Sequence, residues 1–180
     1  MFVQTENTPN PNSLKFLPGK KVSNDIPIEI TEKNESNNEL IRNILSINGV
    51  TGIFLSEDFL SVNKDEKTEW EDLKHIIISF INDYYSNGNE IVINKEKKSS
   101  SDLNLSDIEK KIIKILETKV RPAVARDGGD IKFKEFKDGI VKVQLQGSCS
   151  GCPSSTMTLK QGVQNLLCHY LPEVKEVVAI

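Results

Sequence analysis

The stretch "NKEKKSSSDLN", Asn94 to Asn104, holds one apolar side chain in eleven residues and cannot enter a hydrophobic core. A 180-residue chain broken there is expected to fold as two small domains, 1–93 and 105–180, with 94–104 as a linker. Both halves mix strand and helix signals, so the expected class is α+β. In the C-terminal domain two helices should pack on a small β-sheet, with a Cys-x-x-Cys loop between strand and helix.

In the first half, "NSLKFLPG" alternates Leu14 and Phe16 with Ser13 and Lys15, and Pro18-Gly19 ends the strand. "IPIEI" alternates at Ile26, Ile28 and Ile30, and Pro27 restricts it to a sheet edge. Leu40, Ile41, Ile44 and Leu45 then form a helical stripe that Gly49 should end. "TGIFLSEDFLSVNK" reads as a hairpin turning at Glu57-Asp58. "WEDLKHIIISFINDYY" reads as a helix with Trp70, Leu73, Ile77, Phe80 and Tyr84 along one face, stopped by Asn87-Gly88. "EIVI" is a candidate last strand.

In the second half, Ser106 followed by Glu109 matches a capping box, and Ile108, Ile112, Ile115 and Leu116 make the inward stripe. Pro122 should disturb this helix and "DGGD", 127–130, should end it. "IKFKEF", Asp138-Gly139 and "IVKVQL" form a strong hairpin signal. Ile131, Phe133 and Phe136 on one strand, and Val141, Val143 and Leu145 on the other, are its expected core positions. A helix from Pro153 to Tyr170, with Leu159, Val163, Leu166 and Tyr170 inward, and a final strand in "EVKEVVAI" complete the half. One sheet face is left open to water or a partner.

Charge narrows the function classes. Residues 1–93 carry 8 Lys/Arg against 15 Asp/Glu (net -7), and residues 105–180 carry 12 against 9 (net +3). A chain with overall charge -3 lacks the cationic face that non-specific nucleic-acid binding requires. Its apolar runs are too short to span a bilayer. The start "MFVQTENTPNPNSL" has neither a basic-then-apolar signal pattern nor an Arg-rich presequence look. Three cysteines in such a chain fit reduced thiols better than a disulfide scaffold.

The chemistry concentrates in "GSCSGCPSS", 147–155. Cys149 and Cys152 can chelate one metal centre across a turn at Ser150-Gly151, and Pro153 suits the first turn of a helix. Free N–H groups at that helix start favour negative charge, so a lowered thiol pKa is expected there. Four readings stay open on these residues alone. A thiol–disulfide oxidoreductase uses the same loop-to-helix geometry, but its motif opens an early helix, and here it follows a late hairpin. Zinc needs four ligands, and Cys168 and His169 lie about 24 Å along the helix from Cys152. Inert thiols are the plainest option, yet two thiols together at a helix start are not the usual accident. An iron–sulfur cluster typically takes four cysteines, which two copies of this chain would supply. Such a site would be labile, a fault in an electron carrier and an advantage in a scaffold that gives its cluster away.

The stretch from "VRPAVARDGGDIKF" through "GSCSGCPSS" to "HYLPEV" resembles the C-terminal domain of the NifU-like, or Nfu-type, iron–sulfur scaffold proteins over roughly 106–180. "TPNPNSLKFLPG", "NGVTGIFLSEDFLSVNK" and "WEDLK" resemble the N-terminal domain that accompanies it. The resemblance implies a non-enzymatic scaffold or carrier. It would act as a homodimer or higher even oligomer bridging a [4Fe-4S] cluster, with [2Fe-2S] less expected, held by Cys149 and Cys152 of each chain. Upstream cluster donors and recipient apoproteins are its implied partners. Gly147, Gly151 and Pro153 match the loop-shaping positions, and Ser148 stands where many relatives have alanine. A bacterial cytosol is the expected compartment, or the mitochondrial matrix for a processed organellar form.

Other candidates are weaker. Asp127 and Asp130 could suggest a cation site but fit turn and capping chemistry better. Arg121 and Arg126 could sit near the cluster end and offset negative charge, the less favoured reading of the two. Lys160 reads as solvated, Cys168 as a boundary thiol, and His75 and His169 lack the neighbours of a hydrolytic site.

Overall fold

A computed structural model describes residues 2–23, 27–91, 105–150 and 153–180. The chain divides into two units, Met1–Asn94 and Lys95–Ile180. The linker expected at 94–104 lies outside the described residues, as do Ile26, the second half of "EIVI" and Cys152; the described Glu90 and Ile91 are not in a strand.

The first unit is a five-stranded antiparallel sheet in the order β1-β2-β5-β4-β3. Its strands are β1 (Gln4–Asn7), β2 (Ser13–Leu17), β3 (Ile28–Ile30), β4 (Val50–Leu55) and β5 (Leu60–Lys64). Strand β3 takes the edge, as Pro27 requires. The polar segment "QTEN" carries no apolar alternation, and β1 forms by pairing with β2. Leu14 and Phe16 lie opposite Val62 and Leu60, which in turn oppose Ile53 and Leu55. Helices α1 (Glu39–Ile44) and α2 (Trp70–Ser86) bury their apolar stripes against that face. Each such side chain contributes roughly 1.5–3 kcal/mol.

Two expectations are corrected here. Helix α1 ends at Ile44, five residues before Gly49, which instead serves the turn into β4. In α2 the buried stripe is Leu73, Ile77, Ile81 and Tyr85, with Trp70, Phe80 and Tyr84 as half-buried flanks. Two adjacent apolar stripes exist on this helix, and packing against the sheet selects between them.

The second unit opens with α3 (Asp107–Ile115), whose Ser106–Glu109 capping box is formed on both sides. A π turn, Leu116–Val120, joins it to α4 (Arg121–Arg126). Pro122 has no N–H to give the carbonyl four residues back and its ring crowds that carbonyl. The helix therefore widens just before it, and the Arg121 N–H reaches the Leu116 carbonyl instead. This underwinding keeps Ile112, Leu116, Val120 and Val124, all four apart, on one buried line.

Strands β6 (Gly129–Lys137) and β7 (Ile140–Gly147) form the expected hairpin, turning through Asp138 (φ 54°) and Gly139 (φ 84°), the two positive-φ positions of a tight hairpin turn. An extra residue in β6 between Phe133 and Glu135 shifts the register, which returns Phe136 to the core side opposite Val141. Helix α5 (Pro153–Tyr170) crosses over to β8 (Glu176–Ala179), which pairs parallel to β7. Among the described side chains of α5, Val163 and Leu167 are buried; Leu159 and Leu166 are half-buried and Tyr170 is exposed, against the expectation for Tyr170.

Candidate cluster-ligand loop

Strand β7 delivers Cys149 to one end of the sheet, two residues after Gly147. The short loop that follows leads into α5. Ser148 ties this loop to the end of α4: its N–H donates to the Gly128 carbonyl at 3.2 Å and its hydroxyl donates to the Asp127 carbonyl. The Ser150 N–H and hydroxyl both donate to the Gly147 carbonyl, at 3.1 and 2.8 Å. The Thr156 hydroxyl, in the first turn of α5, donates to the Cys149 carbonyl at 3.2 Å. The backbone around Cys149 is thus fixed from β7, from the α4–β6 corner and from α5.

The Cys149 side chain is 6% exposed and belongs to the core of this unit. Burial pushes its thiol up to about 11, reinforced by the negative charges of Asp127 and Asp130 and opposed by the hydrogen-bond contact between its sulfur and the Ser148 hydroxyl. The expected lowering of thiol pKa therefore does not hold for Cys149. Desolvation is the largest of the influences on it. Cys152, the second expected ligand, lies outside the described residues.

The "DGGD" turn divides its work among its residues. Gly128, with φ 83°, takes the left-handed conformation that closes α4. Gly129 opens β6 directly beneath Cys149: a Cβ there would stand 2.5 Å from Sγ. Asp130 is 4% exposed and accepts Arg121 edge to edge. Asp130 is thus engaged by an ion pair, beyond the turn and capping chemistry expected of it, and the charge of Arg121 is committed to that neighbouring carboxylate. Arg126 is exposed at the end of α4. Sequence reasoning read this segment only as a turn. The available signal was a second glycine where a helix end needs one.

Among the described residues no group of three or more His, Cys, Asp or Glu side chains could hold a metal ion. Cys168 lies fifteen residues beyond Pro153 on α5, about 22 Å along its axis, and its thiol donates to the Val174 carbonyl at 3.1 Å. His169 is exposed and packs edge-on against Tyr170. Lys160 is ion-paired with Glu176 at 3.6 Å.

The family model for the NifU-like domain matches residues 112–178, and that for the Nfu/NifU N-terminal scaffold domain matches residues 3–88. The human protein named NFU1 iron-sulfur cluster scaffold homolog, mitochondrial, is 42% identical over 180 residues, spanning 98% of this chain and 71% of that protein. The chain belongs to the NifU-like (Nfu) family. Its Arabidopsis thaliana relative, NifU-like protein 4, mitochondrial, is 41% identical over 187 residues. That match covers 98% of this NifU-like chain and 65% of the plant protein, so the chain spans about two thirds of the length of such relatives. A solution structure of a NifU-like protein from Saccharomyces cerevisiae is 31% identical, with a TM-score of 0.47, over 53% of this chain and 87% of that one.

Proposed function

We propose that this NifU-like chain is a scaffold or carrier, not an enzyme, that holds an iron–sulfur cluster as cargo and passes it to apoproteins. Cys149 and Cys152 are the ligands of each chain. Two chains share one cluster, [4Fe-4S] ahead of [2Fe-2S], and the pair separates or loosens on release. The observation that carries this reading is the fixed Gly147–Ser150 loop, which presents Cys149 between the sheet and α5 in a chain of a family whose human member is named a cluster scaffold.

The donor set is soft thiolate, the class that iron–sulfur clusters take. Nearby third and fourth ligands are not found among the described residues, and a second copy would complete the set. The raised thiol pKa of Cys149 is compatible with a ligand, since coordination by metal deprotonates a thiol outright and releases its proton to solvent. It suits a thiol–disulfide oxidoreductase less well, because that chemistry needs an accessible thiolate. The human and plant relatives carry mitochondrial in their names, which supports the organellar alternative over a bacterial cytosol. Either compartment is reducing enough to keep the thiols free.

Oxygen-free reconstitution tests the reading. The expected product is a dimer with about two irons and two sulfides per chain and a [4Fe-4S] Mössbauer signature, collapsing to monomer as the cluster is lost. Cys149→Ser and Cys152→Ser should each abolish stable uptake and leave the circular dichroism unchanged. Full cluster retention in both single variants would overturn the assignment.

A further inference from the structure

We propose that Gly129 is a positioning residue for Cys149: the side chain it lacks leaves the space in which the Cys149 sulfur lies. The inference rests on the reading of Cys149 as a cluster ligand and names what locates that ligand.

A Cβ at Gly129 would stand 2.5 Å from Cys149 Sγ and 3.1 Å from its Cβ. Non-bonded heavy atoms pack at about 3.5–4.0 Å, so the sulfur would have to leave. The new methyl could not retreat either, because the Gln146 carbonyl oxygen would be 2.6 Å away and Gly129 is paired with Gly147 across the hairpin. Gly129 is not among the positive-φ residues, so its requirement is space, whereas that of Gly128 is conformation. Two attachments hold this floor in place. Asp130, the next residue, is gripped by Arg121, and the Gly128 carbonyl accepts the Ser148 N–H from the cysteine loop. The thiol and the backbone beneath it are therefore set by the same corner.

The test uses the full chain with Cys152→Ser and Cys168→Ser, which leaves Cys149 as its one thiol. Gly129→Ala is added, and alkylation by iodoacetamide is followed at fixed pH without cluster. The expected result is a folded protein in which Cys149 reacts on the order of 10-fold faster, because its sulfur has lost a buried seat. A matched chain keeping only Cys168 should show no acceleration, which separates displacement of one sulfur from general loosening. An unchanged Cys149 rate in a folded variant, or equal acceleration at both cysteines, overturns the proposal. Should Gly129→Ala fail to fold, its cost is measured with Cys149→Ala: a smaller cost there sustains the contact and an equal cost overturns it. Wild-type chain that takes up no cluster, beside a Gly129→Ala variant with faster Cys149 alkylation, would remove the ligand reading and keep the contact.

Discussion

The Arg121 guanidinium meets the Asp130 carboxylate through two parallel hydrogen bonds, Nε to Oδ1 at 2.8 Å and Nη2 to Oδ2 at 3.0 Å. Helix α4 supplies the cation and the second residue of β6 the anion, so the pair clamps the corner that the cysteine loop leans on. The hydrogen bond to Asp130 holds the Arg121 pKa above its ordinary value.

Arg121→Gln is expected to destabilise the second unit by about 1–3 kcal/mol, because it leaves a nearly buried carboxylate without its cation. The figure sits below that of a fully buried pair because the Arg121 side chain is 34% exposed. Urea unfolding followed by circular dichroism measures it, and an unchanged midpoint would count against the clamp.

Ser148→Ala should cost about 1 kcal/mol, the ordinary value of one hydrogen bond, through loss of the hydroxyl contact to the Asp127 carbonyl. The Ser148 N–H bond to Gly128 survives the change. Melting temperature with and without the substitution checks this. A loss several-fold larger would mean that the hydroxyl does more than anchor the loop.

Stability should fall as pH rises from 9 towards 11. The unfolded Cys149 thiol ionises near its ordinary value of 9.0, while the folded one stays protonated up to about 11. The stabilising difference is therefore complete below pH 9 and is lost through that window, by about 2–3 kcal/mol. Cys149→Ala should remove this component. Parallel urea titrations at pH 8 and 10.5 would decide it, and identical losses in both proteins would refute it.

In the first unit, Lys64 is 9% exposed, and its ammonium donates to Asn12 Oδ1 and to the Asp65 carbonyl, both at 3.1 Å. It ties the "TPNPN" turn to the end of β5, beside Trp70, whose indole N–H donates to the Pro11 carbonyl at 2.9 Å. Lys64→Met should cost about 1–2 kcal/mol by leaving those acceptors without a donor. Trp70 is the chain's one tryptophan, so its fluorescence reports this loss directly.

The sequence by itself determined most of the local structure. The capping box at Ser106, the Asp138-Gly139 turn, the alternation of Val141, Val143 and Leu145, and the edge position of β3 follow from rules that act within a few residues. It also marked Cys149 as chemically special through its spacing from Cys152. Only the tertiary structure decided which of two apolar stripes α2 buries, because the sheet accepts one and Ile81 and Tyr85 lie on it. Strand β1 carries no pattern of its own and exists through its pairing with β2. The burial of Cys149 and the open Cα beneath it arise where Gly129, Gln146 and Cys149 converge. Such contacts join positions about twenty apart in the chain. No local period encodes them, and close packing in three dimensions fixes them.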